Sequence, residues 1–360
     1  MTALLGCIAD DFTGATDLAG MLVRAGMRTV QMIGVPTAAP PGDVDAIVVA
    51  LKSRTAPPEH AIAESLAALT WLRQAGCRQF YFKYCSTFDS TDRGNIGPVT
   101  DALMTALGAR FTIACPAFPE NKRTLFKGYL FVGDVPLNES GMQNHPLTPM
   151  TDSNLVRVLQ RQTRRKVGLV SYETVAAGDG AIRKRFDELQ GEGIEIAVVD
   201  AASNQDLLSI GAACDGLPLV TAGSGIAAGL PQNFRKQGLL QDNLAADALP
   251  RVGGLRAVLA GSCSAATQGQ VAAMIEAGRP AFPVDPLRLA AGEDLVAAAL
   301  DWAAPRLAQG PVLIYATAAA EDVKAIQAQL GVERAGHLVE RALAAIAQGL
   351  AGLGVRQLIV

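Results

Sequence analysis

Short apolar runs alternate along the chain with longer segments in which apolar residues recur every three or four positions. The run "ALLGCIA" at 3–9 predicts a buried strand, and Leu18, Met21 and Leu22 lie on one face of a predicted helix that follows it. Further predicted strands are at 28–34, 44–51, 78–84, 110–115, 166–172, 194–200 and 217–223, and a longer helix is predicted over 57–76. This alternation favours an α/β fold with a largely parallel sheet.

The segment 123–140, "RTLFKGYLFVGDVPLNES", departs from that alternation. Two apolar runs flank Gly128, and a long polar loop containing His145 follows. We interpret the segment as a hairpin excursion that serves as a lid or as the arm of a homodimer, because long irregular insertions are often functional.

The length of 360 residues, half of them hydrophobic, predicts two domains. The pattern loosens over 231–254, so we expect a first domain at 1–240 and a second at 250–360. The second begins an α/β series of its own, with strands at 255–262, 311–317 and 355–360 and a long alanine-rich helix between the last two. We therefore expect two domains, each a largely parallel sheet flanked by helices. Because α/β domains rarely end on a strand, we also expect the natural chain to continue beyond Val360.

Composition narrows the range of partners. The 34 acidic and 31 basic residues give a net charge of −3 and form no block of one sign, which argues against nucleic acid or a membrane surface as a partner. No apolar stretch reaches the roughly 18 residues of a membrane helix. The six cysteines form no CxxC pair and no residue set has metal-ligand spacing, so we expect reduced thiols, no structural metal and a soluble, cytoplasmic protein.

A first polar cluster, Asp10-Asp11-Phe12-Thr13-Gly14, directly follows the first predicted strand. Ligands of open α/β sheets bind at the carboxyl ends of strands. Since adjacent carboxylates repel, one of the two can hold its proton more tightly and act as a base near neutral pH. Capping of the next helix by Asp11 or Thr13 is the structural alternative, and the sequence leaves both open.

A second cluster fills the loop "KYCSTFDSTDRGNIG" at 83–97. Its density of hydroxyl, cationic and amide groups suits a small anionic, polyhydroxylated ligand. Arg93 could bind a carboxylate through two hydrogen bonds, Lys83 could add a compact positive charge, and Asp89 could accept a hydrogen bond or proton from a ligand hydroxyl. A solvated loop held by side-chain turns is the alternative, but it would not need so many such residues.

A third cluster, "AGSCSAATQGQ" at 260–270, follows a predicted strand and begins a helix. Glycine and small hydroxyl residues at a helix N-terminus can bind phosphate through free backbone N–H groups and the helix dipole. The Walker A pattern is absent, and a capped helix start explains the same residues.

Together the clusters resemble the motifs of the four-carbon acid sugar kinase family, in which ADD-x-TGA corresponds to residues 9–15 and K-x-x-S-T-x-D-S-T-x-R-G-N-x-G to residues 83–97. The segments 114–124 and 261–268 extend the resemblance over almost the whole chain. It implies a substrate-binding first domain, an ATP-binding second domain, Mg²⁺, and transfer of phosphate to the terminal hydroxyl of a four-carbon acid sugar. The N-terminal segment is most similar to members that act on 3-oxo acids; members acting on D-threonate, D-erythronate or L-threonate are the alternatives.

The resemblance also implies roles for individual residues. Asp11 or Asp89 would be the base or hydroxyl-orienting group. The expected substrate-binding residues are Asp10, Thr13, Gly14, Lys83, Ser86, Thr87, Ser90, Arg93 and Asn95. Those expected at the nucleotide phosphates are Gly261, Ser262, Ser264 and Thr267.

Two other classes of function remain open from the sequence. A nicotinamide-dependent dehydrogenase would share the fold class, but it needs GxGxxG after its first strand, where this chain has two acids. A non-catalytic sugar-acid binding protein is the second, because the family's glycine-rich nucleotide loop lies beyond the strand that matches 355–360.

Overall fold

The structure, a computed structural model, describes residues 3–39, 42–145, 147–241, 246 and 252–360. It divides into two compact units, Met1–Ala248 and Leu249–Val360. Residues 242–245 and 247–251 of the predicted linker lie outside the described residues.

The first unit is an α/β domain. Its strands in chain order are β1 Leu5–Ala9, β2 Thr29–Ile33, β3 Ala46–Ala50, β4 Gln79–Lys83, β5 Thr112–Cys115, β6 Arg123–Phe126, β7 Tyr129–Val132, β8 Val135–Pro136, β9 Val167–Val170, β10 Ile196–Val199 and β11 Leu219–Ala222. Its helices are α1 Phe12–Arg24, α2 Pro58–Gln74, α3 Ile96–Leu107, α4 Leu155–Gln162, α5 Tyr172–Ala176, α6 Asp179–Gly191, α7 Asn204–Ala213 and α8 Pro231–Lys236. Short 3₁₀ turns lie at Pro119–Asn121, Leu137–Glu139, Met142–Asn144 and Gly225–Gly229.

Eight of these strands form a parallel sheet in the order β2-β3-β1-β4-β11-β5-β10-β9. All five residues of β1 and all five of β3 are buried, as expected for parallel strands covered on both faces. From β1 the chain passes to β2 and β3 on one side, and then to β4 on the other. The carboxyl ends of β1 and β4 therefore flank a topological switch point, where α/β sheets bind ligands.

The predicted excursion is present as a separate antiparallel sheet, β6-β7-β8, which has one strand more than the hairpin we predicted. Lys127 and Gly128 form the β6–β7 turn with φ values of 53° and 78°. The buried carboxylate of Asp200, after β10, accepts hydrogen bonds from the backbone N–H groups of Lys127, Gly128 and Tyr172. This carboxylate fixes the turn of the excursion to the end of the main sheet.

The second unit is a smaller α/β domain. Its strands are β12 Leu255–Ala260, β13 Ala281–Pro283, β14 Val312–Tyr315 and β15 Val355–Ile359, and its helices are α9 Ala265–Glu276, α10 Pro286–Ala290, α11 Leu295–Ala303, α12 Ala320–Leu330 and α13 Val332–Gly352, with a 3₁₀ turn at Leu307–Gln309. The strands form one parallel sheet in the order β13-β14-β12-β15. The α/β class and the largely parallel sheets are thus confirmed.

Two local expectations were wrong. The single alanine-rich helix is two helices, because Gly331, at φ 82°, ends α12 and begins α13. The loosened segment expected from 231 onward begins with α8, whose Phe234 is buried in the core of the first unit. Among the described residues, no helix combines the length and the apolar character that a membrane span requires.

Candidate active site at the switch point

Three strand ends bring the charged residues of the site together. Ala9, the last residue of β1, is in register with Ala50 of β3 and with Lys83 of β4. The residues that follow β1 and β3, together with Lys83, therefore meet at the same edge of the sheet. This places Asp10 and Asp11 beside Arg54, a residue that our sequence analysis did not identify.

Arg54 lies between three carboxylates. Its Nε and Nη2 atoms each donate to Asp10 at 2.9 Å, and Nη2 also donates to Asp11 Oδ1 at 2.6 Å. Its Nη1 lies 3.5 Å from Asp89 Oδ2. Lys83 adds a second cation, with its Nζ 3.5 Å from Asp11 Oδ1. Three carboxylates and two cations make this cluster, which we call the Arg54 cluster, net negative.

Asp10 is the most deeply buried of the three acids. Burial raises the pKa of its carboxyl, while Arg54 and Lys83 oppose that rise. Repulsion by Asp11 raises the pKa as well, but it is the smallest of these effects. From the sequence we expected repulsion between the neighbouring acids to be the main cause of a raised pKa. That expectation is wrong, because burial is the main cause. Burial opposes the charge of Arg54 too, but the hydrogen bonds to Asp10 and the attraction of Asp10 and Asp11 together outweigh it and raise the pKa of the guanidinium.

Asp11 is the N-cap of α1. Its Oδ1 accepts a hydrogen bond from the backbone N–H of Gly14 at 3.1 Å, so the capping interpretation is right for this residue. Its Oδ2 has no hydrogen-bond partner among the residues that the structure describes, and its side chain is 26% exposed. Asp11 therefore keeps one carboxylate oxygen available to a ligand. Thr13, in the first turn of α1, is exposed.

The loop after β4 presents Asp89 in a strained conformation. Phe88 and Asp89 have φ values of 65° and 39°, and two consecutive non-glycine residues in this region are costly. The buried ring of Phe88 packs edge-on against Tyr84, and Thr87 donates a hydrogen bond of 2.7 Å to Asp89 Oδ1. These contacts hold the Asp89 carboxylate near Arg54. Ser86 is half-buried in the same loop.

Two predicted ligand-binding residues of this loop are bound to neighbouring chain segments. The Asn95 amide donates to the backbone carbonyls of Ser53, Arg54 and Ala56 at 2.8, 3.1 and 2.8 Å. Ser90 is buried, and its Oγ accepts from Gln162 Nε2 at 2.9 Å. Asn95 thus fixes the loop that carries Arg54, and Ser90 fixes its own loop to the end of α4.

Arg93 lines a cavity of about 310 Å³ whose lining includes no residue of the Arg54 cluster. The guanidinium of Arg93 is exposed and forms no hydrogen bond or ion pair with a described residue. Arg161, in the wall of the same cavity, is paired with Asp92 at 3.3 Å and Asp152 at 3.5 Å. This cavity, called the Arg93 cavity below, therefore offers one uncompensated cation.

The third cluster lies at the start of α9 in the second unit. Ser264 is the N-cap, and its Oγ accepts from the backbone N–H of Thr267 at 3.2 Å and lies 3.0 Å from Thr267 Oγ1. Ser262 Oγ accepts from the backbone N–H of Ser264, and its carbonyl accepts from Thr317. Ser262 and Ser264 are exposed. A largely apolar cavity of about 340 Å³ begins beside them, lined by residues that include Gly261, Cys263, Ala316, Ile326, Val339 and Leu343.

The sequence contained a signal for Arg54 that we did not use. "KSRT" at 52–55 directly follows the predicted strand at 44–51, so the rule that drew attention to Asp10 applied equally to Arg54. By contrast, Asp152, Arg161 and Gln162 come from a distant part of the chain, and only the fold places them against the 83–97 loop.

Family models match both units of the chain. A model described as a sugar-binding N-terminal domain matches residues 5–230, and one described as a nucleotide-binding C-terminal domain matches residues 257–360. Fold and comparison thus define a two-domain protein that pairs a sugar-binding with a nucleotide-binding domain.

Curated relatives refine that class. The chain is 63% identical over 357 residues to a 3-oxo-tetronate kinase of Burkholderia multivorans and 63% identical over 359 residues to one of Pseudomonas fluorescens. Each match covers 99% of this chain and 83% of the relative. The chain belongs to the 3-oxo-tetronate kinase family.

Solved structures share the fold. The crystal structure of a Salmonella typhimurium protein has 43% identity and a TM-score of 0.89, and the match covers 98% of this chain and 84% of that one. A Bordetella bronchiseptica domain of unknown function, a domain-swapped dimer with bound citrate, has 25% identity and a TM-score of 0.55, with coverage of 96% and 80%.

Proposed function

We propose that this protein is an ATP-dependent kinase that phosphorylates the 4-hydroxyl of a 3-oxo-tetronate. The observation that carries the proposal is the Arg54 cluster, whose carboxylates lie at the switch point of the sheet and include an Asp11 oxygen that has no partner among the described residues. A net-negative group of this kind accepts hydrogen bonds from hydroxyls and repels carboxylates. It therefore suits the hydroxyl end of an acid sugar.

The acid end requires a cation that is not already compensated. Arg93 provides one, because its guanidinium is exposed in the Arg93 cavity, only four residues along the chain from Asp89. Guanidinium groups bind carboxylates through two parallel hydrogen bonds. The citrate-bound Bordetella relative is consistent with a carboxylic acid ligand on this fold. Arg93 would thus fix the orientation of the substrate, with its hydroxyls towards the Arg54 cluster.

The second unit would bind ATP. Its apolar cavity suits an adenine ring, and the N-terminus of α9, with Gly261, Ser262, Ser264 and Thr267, suits phosphate oxygens. The described residues include no group of three or more histidine, cysteine or acidic side chains that could hold a metal ion. Mg²⁺ usually keeps several waters and is bound through substrate phosphates, so we expect the phosphates of ATP and water to supply most of its ligands, and Mg²⁺ would neutralise phosphate charge there.

Transfer would proceed in line. The substrate oxygen forms a bond to the γ-phosphorus as the bond from that phosphorus to the β–γ bridging oxygen breaks, and ADP leaves. Asp11 is better placed than Asp89 to receive the hydroxyl proton, because its Oδ2 is unpaired among the described residues and its side chain is the more exposed, 26% against 10%. Lys83 would offer its ammonium to oxygens of the reacting groups. The residues chiefly supply position and charge, on which phosphoryl transfer depends.

The proposal also includes where the enzyme acts and how it assembles. The six cysteines are free thiols, and with ATP as the donor this supports a cytoplasmic enzyme. Exposed Phe126 and Tyr129 on the β6-β7-β8 sheet support a homodimer through this arm. Light scattering of the protein with and without residues 123–150 would test the dimer, which would be ruled out by a monomeric mass for the intact protein.

The test is an ADP-release assay with ATP, Mg²⁺ and a panel of D- and L-threonate, D- and L-erythronate and their 3-oxo forms. We expect the highest kcat/KM for a 3-oxo acid and phosphate at its 4-position. Preference for a threonate or erythronate would make that acid the substrate instead. Thermal stabilisation by these acids without turnover would identify a binding protein, and tight NADH binding would favour a dehydrogenase.

A further inference from the structure

Gly14 is the third residue of α1, and charged groups of the site occupy the space that a side chain at this position would fill. A Cβ atom at this position would lie 1.7 Å from Lys83 Nζ, 2.7 Å from Lys83 Cε and 2.3 Å from Asp11 Oδ1. Gly14 has ordinary helical backbone, so its conformation does not require glycine. In a helix, alanine is more favourable than glycine, so helix stability alone would select against this residue.

The position of Lys83 explains why residue 14 is glycine. Its side chain is only 5% exposed, and its ammonium reaches the site over the helix face that Gly14 leaves open. An ammonium has three donors, and the one hydrogen bond found for it among the described residues is to Asp11 at 3.5 Å. A buried cation with unfilled donors beside an acid is poised for a ligand oxygen, which is the role of electrostatic stabilisers in phosphoryl transfer.

We propose that Gly14 is a positioning residue, which keeps open the space in which the Lys83 ammonium meets Asp11 and faces the substrate. The inference deepens the proposed kinase function and rests on it. Any side chain at position 14 would displace the end of Lys83, because the alternative is movement of the α1 backbone. The expected result is a loss of turnover without loss of fold.

The experiment compares Gly14→Ala with Gly20→Ala. Gly20 lies in the same helix, is exposed, and has no atom within 4 Å of where its Cβ would lie. Both substitutions add one methyl group to α1, so the gain in helix propensity is matched. We expect Gly20→Ala to raise the melting temperature and leave kcat/KM unchanged, and Gly14→Ala to lower kcat/KM about a hundredfold, the size of effect seen when one preorganised donor is lost. Lys83→Met sets the largest loss that displacement of the ammonium can cause.

A second measurement does not depend on activity. Lysine acylation followed by mass spectrometry reports how accessible each ammonium is, and we expect Lys83 to react faster in Gly14→Ala than in the wild type or in Gly20→Ala. Unchanged Lys83 reactivity, or kcat/KM within twofold of wild type, would overturn the inference. If the wild type turns over no acid sugar, the proposed function fails, while the acylation rates still decide the role of Gly14.

If Gly14→Ala does not fold, the inference is tested with the double variant Gly14→Ala/Lys83→Ala. Truncation of Lys83 removes two of the three nearest atoms, Nζ and Cε, and leaves only the Asp11 carboxylate oxygen close to the new methyl group. The double variant should therefore fold if the space at Gly14 serves the Lys83 side chain. If Gly14→Ala fails to fold and the double variant also fails to fold, the inference is contradicted.

Discussion

Arg54 binds the buried carboxylate of Asp10 through two parallel hydrogen bonds of 2.9 Å, from Nε and Nη2. The Asp10 side chain is 6% exposed and that of Arg54 is 22% exposed. A buried ion pair of this kind adds little net stability, but removal of one partner leaves an uncompensated buried charge. We expect Arg54→Ala to lower the free energy of unfolding by about 3 kcal/mol at pH 7, measured by urea denaturation.

The pH dependence of this loss has a definite sign. Burial raises the pKa of Asp10, and Arg54 opposes that rise, so removal of Arg54 raises the pKa further. A carboxyl whose folded pKa is raised stabilises the fold while it is protonated, and that contribution is lost as pH rises through the folded pKa. The cost of Arg54→Ala should therefore be smaller at pH 5 than at pH 8.

Two controls separate this effect from the general loss of an arginine. Arg288, in an exposed pair with Glu293, is a matched site at which Arg288→Ala should cost little at either pH. Adding Asp10→Asn to Arg54→Ala should remove the pH dependence. If Arg54→Ala lowers the free energy of unfolding equally at pH 5 and pH 8, the uncompensated buried charge is not that of Asp10.

Asn95 is expected to act on catalysis through Arg54. Its amide binds three carbonyls of the segment that carries Arg54, and each such hydrogen bond contributes about 1 kcal/mol. We expect Asn95→Ala to lower kcat/KM at least tenfold. In an Arg54→Ala background the same change should have little further effect, because residues that act through one group are not additive.

Gln162→Ala is the matched control for Asn95. Gln162 also donates its amide to several acceptors of the 83–97 loop, at Ser90 and Thr91, but has no described contact with Arg54. Its effect should add fully to that of Arg54→Ala. If the effect of Asn95→Ala on kcat/KM also adds fully to that of Arg54→Ala, Asn95 has a general structural role and does not act through Arg54.

The sequence predicted the elements well and the partners of the charged residues poorly. β1, β3 and β4 were predictable because buried parallel strands are continuous apolar runs, and their position after predicted strands identified Asp10, Asp11 and Lys83 as candidate site residues. The ion pair of Asp10 with Arg54 was not predictable from spacing, since 44 residues separate them and only the strand order brings them together. The same holds for Asn95, whose amide looks like a ligand-binding group until its three carbonyl partners are known.

Arg93 is predicted to determine affinity for the acid group. If its exposed guanidinium binds the substrate carboxylate equally in the ground and transition states, Arg93→Ala should raise KM for the acid sugar about tenfold or more and leave kcat nearly unchanged. A four-carbon polyol without the carboxylate should bind the wild type and the variant equally, measured as competitive inhibition. Arg24, an exposed arginine on α1, provides the control variant Arg24→Ala, with KM expected to be unchanged. An unchanged KM in Arg93→Ala would mean that the carboxylate binds elsewhere.

Ser264 allows helix capping and phosphate binding to be separated, because two residues that cap a helix equally well differ in charge. Asn and Asp are both good N-caps, so Ser264→Asn and Ser264→Asp should each keep the free energy of unfolding within about 0.5 kcal/mol of wild type. Only Asp places a carboxylate at the exposed start of α9, where it would repel nucleotide phosphates. We expect Ser264→Asp to weaken ATP binding at least tenfold and Ser264→Asn to weaken it much less, measured by calorimetry, with adenosine binding unchanged in both. Equal ATP affinity in the two variants would show that the hydroxyl only caps the helix and that the phosphates bind away from this terminus.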